Sequence, residues 1–191
     1  MLVMGILNVT PDSFADGGRH NDYDAAVSRG LEMIAEGVDI IDIGGESTRP
    51  GADRVSEEEE IARTIPVITE LAKHGTTISI DTMRASTATA AINAGALIIN
   101  DVSGGLADNA MLQTAARLQV PYIAMHWRGQ SKDMNSKAIY GDVVNEVIAE
   151  LNERIDAALD AGIDKDKLII DPGIGFAKDA EHNWAIIDSI D

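Results

Sequence analysis

Six short runs of aliphatic residues recur along this chain and constrain its fold more than any other feature. They are Leu2–Leu7, Val38–Ile43, Thr76–Ile80, Ala96–Ile99, Val120–Met125 and Leu168–Ile170. Each is a continuous apolar run and not an apolar/polar alternation, the pattern of strands covered on both faces, as in a parallel sheet. Helical patterns separate them. Tyr23, Val27, Leu31 and Ile34 share one helical face, and Gly37 follows as a stop. Ser56-Glu57-Glu58-Glu59 has the spacing of a capping box and opens a helix carrying Ile61, Ile65, Ile68 and Leu71, with Pro66 inside as a candidate kink and Gly75 near its end. Further helices are expected near Ala85–Asn93, Asn109–Leu118, Val143–Ala161 and from Glu181 onward.

This alternation predicts an α/β fold with a parallel sheet. No dinucleotide-type glycine fingerprint follows the first run, which disfavours a doubly wound sheet and leaves a TIM (β/α)8 barrel. A complete barrel needs about 250 residues. The 191 residues here supply about six of the eight βα units. The expectation is a single barrel domain over 1–191 that stops before the seventh and eighth strands and leaves two open sheet edges.

Composition removes other classes. With no Cys, neither a disulfide framework nor a thiolate metal site can form. No apolar stretch reaches the roughly 18 residues of a membrane span, and the N-terminus lacks a secretory pattern, so a cytoplasmic protein is expected. A net charge of −17 would repel nucleic-acid phosphates. It would also repel a small anionic substrate, which therefore needs a local positive pocket.

Every apolar run ends in polar residues: Asn8 after Leu7, Gly44-Gly45-Glu46-Ser47-Thr48-Arg49-Pro50-Gly51 after Ile43, Asp81 after Ile80, Asn100-Asp101 after Ile99, His126 after Met125, and Asp171 after Ile170. A polar residue after one strand is ordinary loop chemistry. Six such ends at one barrel mouth describe an active site. Asp81, Asn100 and Asp171 offer carboxylates that accept paired hydrogen bonds and an amide that both donates and accepts, equipment for a flat aminopyrimidinone. Either Asp could instead cap a helix. The glycines, hydroxyls and Arg49 of the second loop suit phosphate. Asn8 could ligate Mg²⁺ through its oxygen. The loops Val9–Gly18 and Glu46–Arg54 are long and polar, as lids are.

These residues resemble the dihydropteroate synthase family. Gly5-Ile6-Leu7-Asn8-Val9-Thr10-Pro11-Asp12-Ser13-Phe14 looks like its first signature and Gly44–Gly51 like its second. Ser79-Ile80-Asp81-Thr82, Ile99-Asn100-Asp101-Val102, Met125-His126-Trp127 and Asp171-Pro172-Gly173-Ile174-Gly175-Phe176 follow in the expected order, with wording similar to actinobacterial members. The resemblance implies a TIM-barrel transferase joining 7,8-dihydropterin-6-ylmethyl diphosphate to 4-aminobenzoate, with release of diphosphate. It implies that Asp81, Asn100 and Asp171 hold the pterin, that Val102 and Met125 line its pocket, and that Thr48 and Arg49 meet the diphosphate. It makes Asn8 the Mg²⁺ ligand and closes Thr10, Pro11, Asp12, Ser13, Phe14, Ser47 and Pro50 over the aminobenzoate. Asp81, Arg49 and Asn8 carry the catalytic roles, and a homodimer is among the assemblies it allows.

The family's Lys on a seventh strand and its Arg-x-His on an eighth have no counterpart in these residues. Two other readings therefore stand beside the first. One is a truncated or degenerate copy that binds pterin without catalysis. The other is the methyltetrahydrofolate-binding barrel of a methyltransferase, which would share the Asp/Asn set and not the two loop signatures.

Overall fold

A computed structural model describes residues 1–10, 19–47, 54–130, 132 and 134–190. The chain forms two compact units, one built from Met1–Ser47 with Arg54–Asn100, the other principally from Asp101–Asp191.

The first unit holds β1 (Met4–Asn8), α1 (Arg19–Glu36), β2 (Ile40–Gly44), α2 (Glu57–Leu71), β3 (Thr77–Asp81), α3 (Ala85–Ala94) and β4 (Ile98–Asp101), the last strand ending at the first residue of the second unit. Its strands lie in chain order, β1-β2-β3-β4, all parallel. Ile41, Ile43, Ile78, Ile80 and Ile99 are fully buried between strands and helices, as continuous apolar runs require. Ser56 caps α2, its hydroxyl accepting from the Glu59 amide at 3.2 Å. The Glu59 carboxylate turns instead to Arg63 at 3.0 Å. α2 runs as one helix through Pro66 and ends in a short 3₁₀ turn closed by Gly75 at φ 74°. Gly37, at φ 90°, stops α1 as expected.

The second unit holds α4 (Met111–Leu118), β5 (Tyr122–Met125), α5 (Val143–Asp160), β6 (Leu168–Asp171) and α6 (Ala180–Ile187). β5 and β6 pair in parallel. α5 and α6 pack through Val143, Val147, Leu151 and Ile186.

Two expectations need correction. The polar residues expected to follow the strands mostly end them: Asn8, Gly44, Asp81, Asn100, Asp101 and Asp171 all make strand pairings or lie within strands. Each backbone there still hydrogen-bonds its neighbour, so the strand persists past its apolar stretch. Burial on both faces also fails at β1 and β6. Ile6 is 65% exposed, and Ile169 and Ile170 are 46% and 36% exposed.

Candidate active site

Register decides which polar residues share a face. Asn8 pairs with Gly44, Gly44 with Asp81, and Asp81 with Asn100. In parallel strands such a row projects to one side. Four residues distant in sequence thus form one line across the first unit, at the C-terminal ends of its strands. A glycine in the middle leaves a notch. A Cβ placed on Gly44 would sit 3.3 Å from Asp81 Oδ2 and 3.6 Å from Asn8 Oδ1, so both oxygens border the space that a side chain would fill.

Two residues below this row, Asp42 pairs with Ser79 on the same face. The Asn100 amide donates to Asp42 Oδ2 at 2.9 Å. Asp42 is 4% exposed, and burial pushes its carboxyl above the usual range, against the lowering influence of Ser79 and Asn100. Among the described residues, Asp42 Oδ1 and Ser79 Oγ make no well-formed hydrogen bond despite their burial. Reading the sequence passed over Asp42, which interrupts the run Ile40-Ile41-Asp42-Ile43. A lone carboxylate inside an apolar strand was the available signal.

Asp101, adjacent to Asn100, is structural. Its carboxylate is fully buried and accepts from Ser103 N at 2.8 Å, Ser103 Oγ at 2.6 Å, Gly105 N at 2.8 Å and Tyr122 OH at 2.8 Å. Strand alternation sends the two neighbours to opposite faces.

The stem of the second loop is built from ions. Gly45 packs so closely on α2 that a Cβ would lie 2.8 Å from Thr64 Cγ2, and its carbonyl accepts from Arg63 at 3.0 Å. Glu46 is buried and accepts from Arg54 at 2.9 Å and Arg84 at 2.8 Å. Arg84 also pairs with Glu60, 1% exposed, which accepts from Thr82 at 2.5 Å and Thr87 at 3.3 Å. Val9, at the other loop's start, is buried and donates to the Gly44 carbonyl at 2.8 Å. Both stems are packed where the chain leaves β1 and β2, at Val9 and Glu46. Thr10 and Ser47 are half-buried beside them. Pro11, Asp12, Ser13, Phe14, Thr48, Arg49 and Pro50 lie outside the described residues, as does most of each expected lid.

In the second unit, Met125 pairs with Asp171 at the ends of β5 and β6. Met125 and Val102 are buried, at 3% and 8% exposure. Asp171 Oδ1 accepts from the Gly173 amide at 2.7 Å. His126, expected as a polar strand end facing a mouth, is buried. Its Nε2 meets Glu150 at 2.9 Å and its Nδ1 meets Lys178 Nζ at 2.9 Å. Burial and the Lys178 charge hold the imidazole down at about 4, so the ring is neutral at pH 7. Arg128 clasps the Glu150 carboxylate, reaches Glu146 at 2.7 Å and lies 3.8 Å over the Tyr140 ring. No spacing in the sequence singled out Lys178, Glu60 or Arg84.

Parallel βα units with acid and amide side chains at the C-terminal ends of their strands define an α/β protein of the barrel type. The chain belongs to the pterin binding enzyme family, whose model matches residues 4–191, across both units. It is 52% identical over 189 residues to the dihydropteroate synthase of Mycobacterium leprae, covering 98% of this chain and 66% of the relative. It is 48% identical over 191 residues to that of Bacillus subtilis, covering all of this chain and 65% of the relative. It is also similar to the structure of Xanthomonas albilineans dihydropteroate synthase with 4-aminobenzoic acid, at 49% identity and a TM-score of 0.91, covering 98% of this chain and 67% of that one. The complex of that enzyme with 7,8-dihydropteroate matches at 44% identity and a TM-score of 0.86, with 98% and 66% covered. The α/β fold is thus that of these TIM-barrel enzymes, and the chain spans about two thirds of the length of the curated relatives it matches.

Proposed function

We propose that the protein carrying this chain is a dihydropteroate synthase: it condenses 7,8-dihydropterin-6-ylmethyl diphosphate with 4-aminobenzoate to give 7,8-dihydropteroate and diphosphate, in folate biosynthesis. The observation that carries this reading is the row Asn8–Gly44–Asp81–Asn100, oxygen-rich at both sides of a glycine notch, in a chain of the pterin binding family. The relatives' complexes with 4-aminobenzoic acid and 7,8-dihydropteroate support the choice of substrates.

In this reading Asp171, Asp81 and Asn100 bind the pterin through its amino and ring N–H groups, and Val102 and Met125 give the ring an apolar wall. The C–O bond to diphosphate breaks, cationic character builds on the pterin carbon, and the nearby carboxylates favour that charge. The arylamine nitrogen then forms the new C–N bond and loses a proton. No covalent enzyme intermediate is required. Thr48 and Arg49 bind the departing diphosphate, and the remaining loop residues cover the aminobenzoate.

The donor set around the notch fits Mg²⁺. Asn8 Oδ1 and Asp81 Oδ2 both border it, and Mg²⁺ combines one or two protein oxygens with water and phosphate. When bound there, the ion would neutralise charge on the leaving diphosphate. A cytoplasmic location and a homodimer belong to the same reading. No described helix is long and apolar enough to cross a membrane.

The test is product analysis by mass spectrometry after mixing the full-length protein with both substrates, with Asp81→Asn alongside. Dihydropteroate formed by the parent and reduced at least a hundredfold by Asp81→Asn is expected. Pterin binding without any product would overturn the synthase in favour of a binding protein.

A further inference from the structure

Lys178 is a long cationic side chain with only 8% of its surface exposed, in the loop between β6 and α6. Its ammonium has three donors and finds three acceptors: the Gly173 carbonyl at 3.0 Å, the Phe176 carbonyl at 3.0 Å and His126 Nδ1 at 2.9 Å. None is a carboxylate, which is unusual for a buried cation. What these bonds achieve is local. Gly173 is held at both ends, its carbonyl by Lys178 and its amide by Asp171 Oδ1 at 2.7 Å. Gly173 sits at φ 67°, and any Cβ there would approach the His126 carbonyl to 2.7 Å. The clamp therefore needs glycine.

The chain accepts strain to bring Lys178 back over this loop. Ala177 is in the left-handed region at φ 49°, a conformation that a residue with a Cβ rarely adopts. Its carbonyl is held by the Tyr140 hydroxyl at 3.0 Å. Behind Lys178, neutral His126 accepts through Nδ1 and donates through Nε2 to Glu150, which Arg128 holds in turn.

We propose that Lys178 is a positioning residue for pterin recognition: through Gly173 it fixes the Asp171 carboxylate with Oδ1 committed to the loop and Oδ2 aimed at the ligand. This rests on the reading of Asp171 as the acceptor for the pterin amino edge. The charged groups facing Lys178 are Asp171 on β6, Arg128 after β5 and Glu150 on α5, with His126 in direct contact. Burial lowers its ammonium to about 8, against the raising influence of Asp171 and Glu150. Above that pH the amine keeps two donors for its three acceptors and loses its charge, so the clamp is at full strength below about 8 and weaker above it.

The experiment uses the full-length protein, with calorimetric titration of a bare 7,8-dihydropterin between pH 7 and 9.5 and steady-state kinetics at pH 7. Lys178→Met keeps the length and apolar stem while removing all three donors. It is expected to weaken dihydropterin about tenfold, the loss of a hydrogen-bonded constraint on a charged acceptor. It should leave the KM for 4-aminobenzoate unchanged and flatten the pH profile, whereas affinity in the parent falls as pH rises through about 8. A residue that only supports the fold would move both KM values and leave the profile's shape intact. If Lys178→Met does not fold, the parent profile decides, since an affinity constant from pH 7 to 9.5 overturns the proposal. Asp171→Asn separates the two levels. If it weakens dihydropterin and Lys178→Met does not, the positioning role is wrong and the pterin reading stands. If neither weakens it, the pterin assignment of Asp171 itself fails.

Discussion

The side-chain amide of Asn100 donates to Asp42 Oδ2 at 2.9 Å across two strand positions, so the orientation of Asn100 is set from beneath by a carboxylate nearly sealed from solvent. An amide held this way presents its carbonyl oxygen in a fixed direction, and no search among rotamers precedes binding. Asp42 thus supports Asn100, a pterin contact in the function proposed above, from a place where the strand also needs apolar burial.

Asp42→Asn should separate binding from stability. The replacement removes a desolvated charge and supplies an NH₂ that can reach Ser79 Oγ, so unfolding free energy should stay level or rise by about 1 kcal/mol. Asp42 Oδ2 would be one of two unlike atoms in the variant, and dihydropterin affinity should fall several-fold as Asn100 loses its charged anchor. Burial raises the Asp42 carboxyl in the folded protein. Its protonation therefore favours the fold as pH falls, a contribution the variant lacks. Urea titrations at pH 7 and pH 5 with parallel calorimetry measure both. A loss above 3 kcal/mol with unchanged binding would show a purely structural residue.

Gly44→Val should fill the notch between Asn8 and Asp81. Its Cβ would start 3.3 Å from Asp81 Oδ2, and a branched side chain adds two methyl groups beyond that already tight position. We expect kcat/KM for the pterin diphosphate to fall about a hundredfold and stability by about 1–3 kcal/mol. Gly44→Ala should be milder on both counts. Measured Mg²⁺ dependence of rate is the discriminating readout, because the notch reading requires the half-saturating Mg²⁺ concentration to rise in both variants.

Arg84→Met should destabilise by about 3–5 kcal/mol, because Glu60 would remain buried without its cation. Arg84→Met combined with Glu60→Met should recover much of that loss, since removing both charges leaves no unpaired ion. Chemical denaturation of the two variants and the parent reports this coupling. Equal destabilisation by the single and double changes would mean that packing, and not the ion pair, is what Arg84 contributes.

The pH dependence of folding should carry the signature of His126. Its folded-state pKa is about 4, lowered by burial and by Lys178, against an ordinary value near 6.5. The unfolded chain takes the proton first as pH falls. Stability is therefore fully present above about 6.5, lost progressively between 6.5 and 4, and unaffected by this residue below that. The amplitude should be about 3 kcal/mol, the free energy equivalent of the fall from 6.5 to about 4. His126→Gln, which keeps an acceptor for Lys178 and does not titrate, should flatten urea midpoints over that window.

The strand-helix alternation was readable from the chain because each apolar run and each 3.6-residue periodicity is a local property, and Gly37, Ser56 and Gly75 mark helix ends by local chemistry. So were the polar strand ends, and through them Asn8, Asp81, Asn100 and Asp171. Local pattern could not say which of Asn100 and Asp101 shares a face with Asn8 and Asp81. Pairing register decided that, sending Asn100 to Asp42 and Asp101 to four donors around Tyr122. The roles of Glu60, Arg84, His126 and Lys178 were equally closed to sequence reading. A buried charge is defined by partners 22 to 52 residues away, as in the pairs Thr82–Glu60 and Lys178–His126. Only the folded backbone brings those partners within hydrogen-bond distance and excludes the water that would otherwise make each of them an ordinary surface residue.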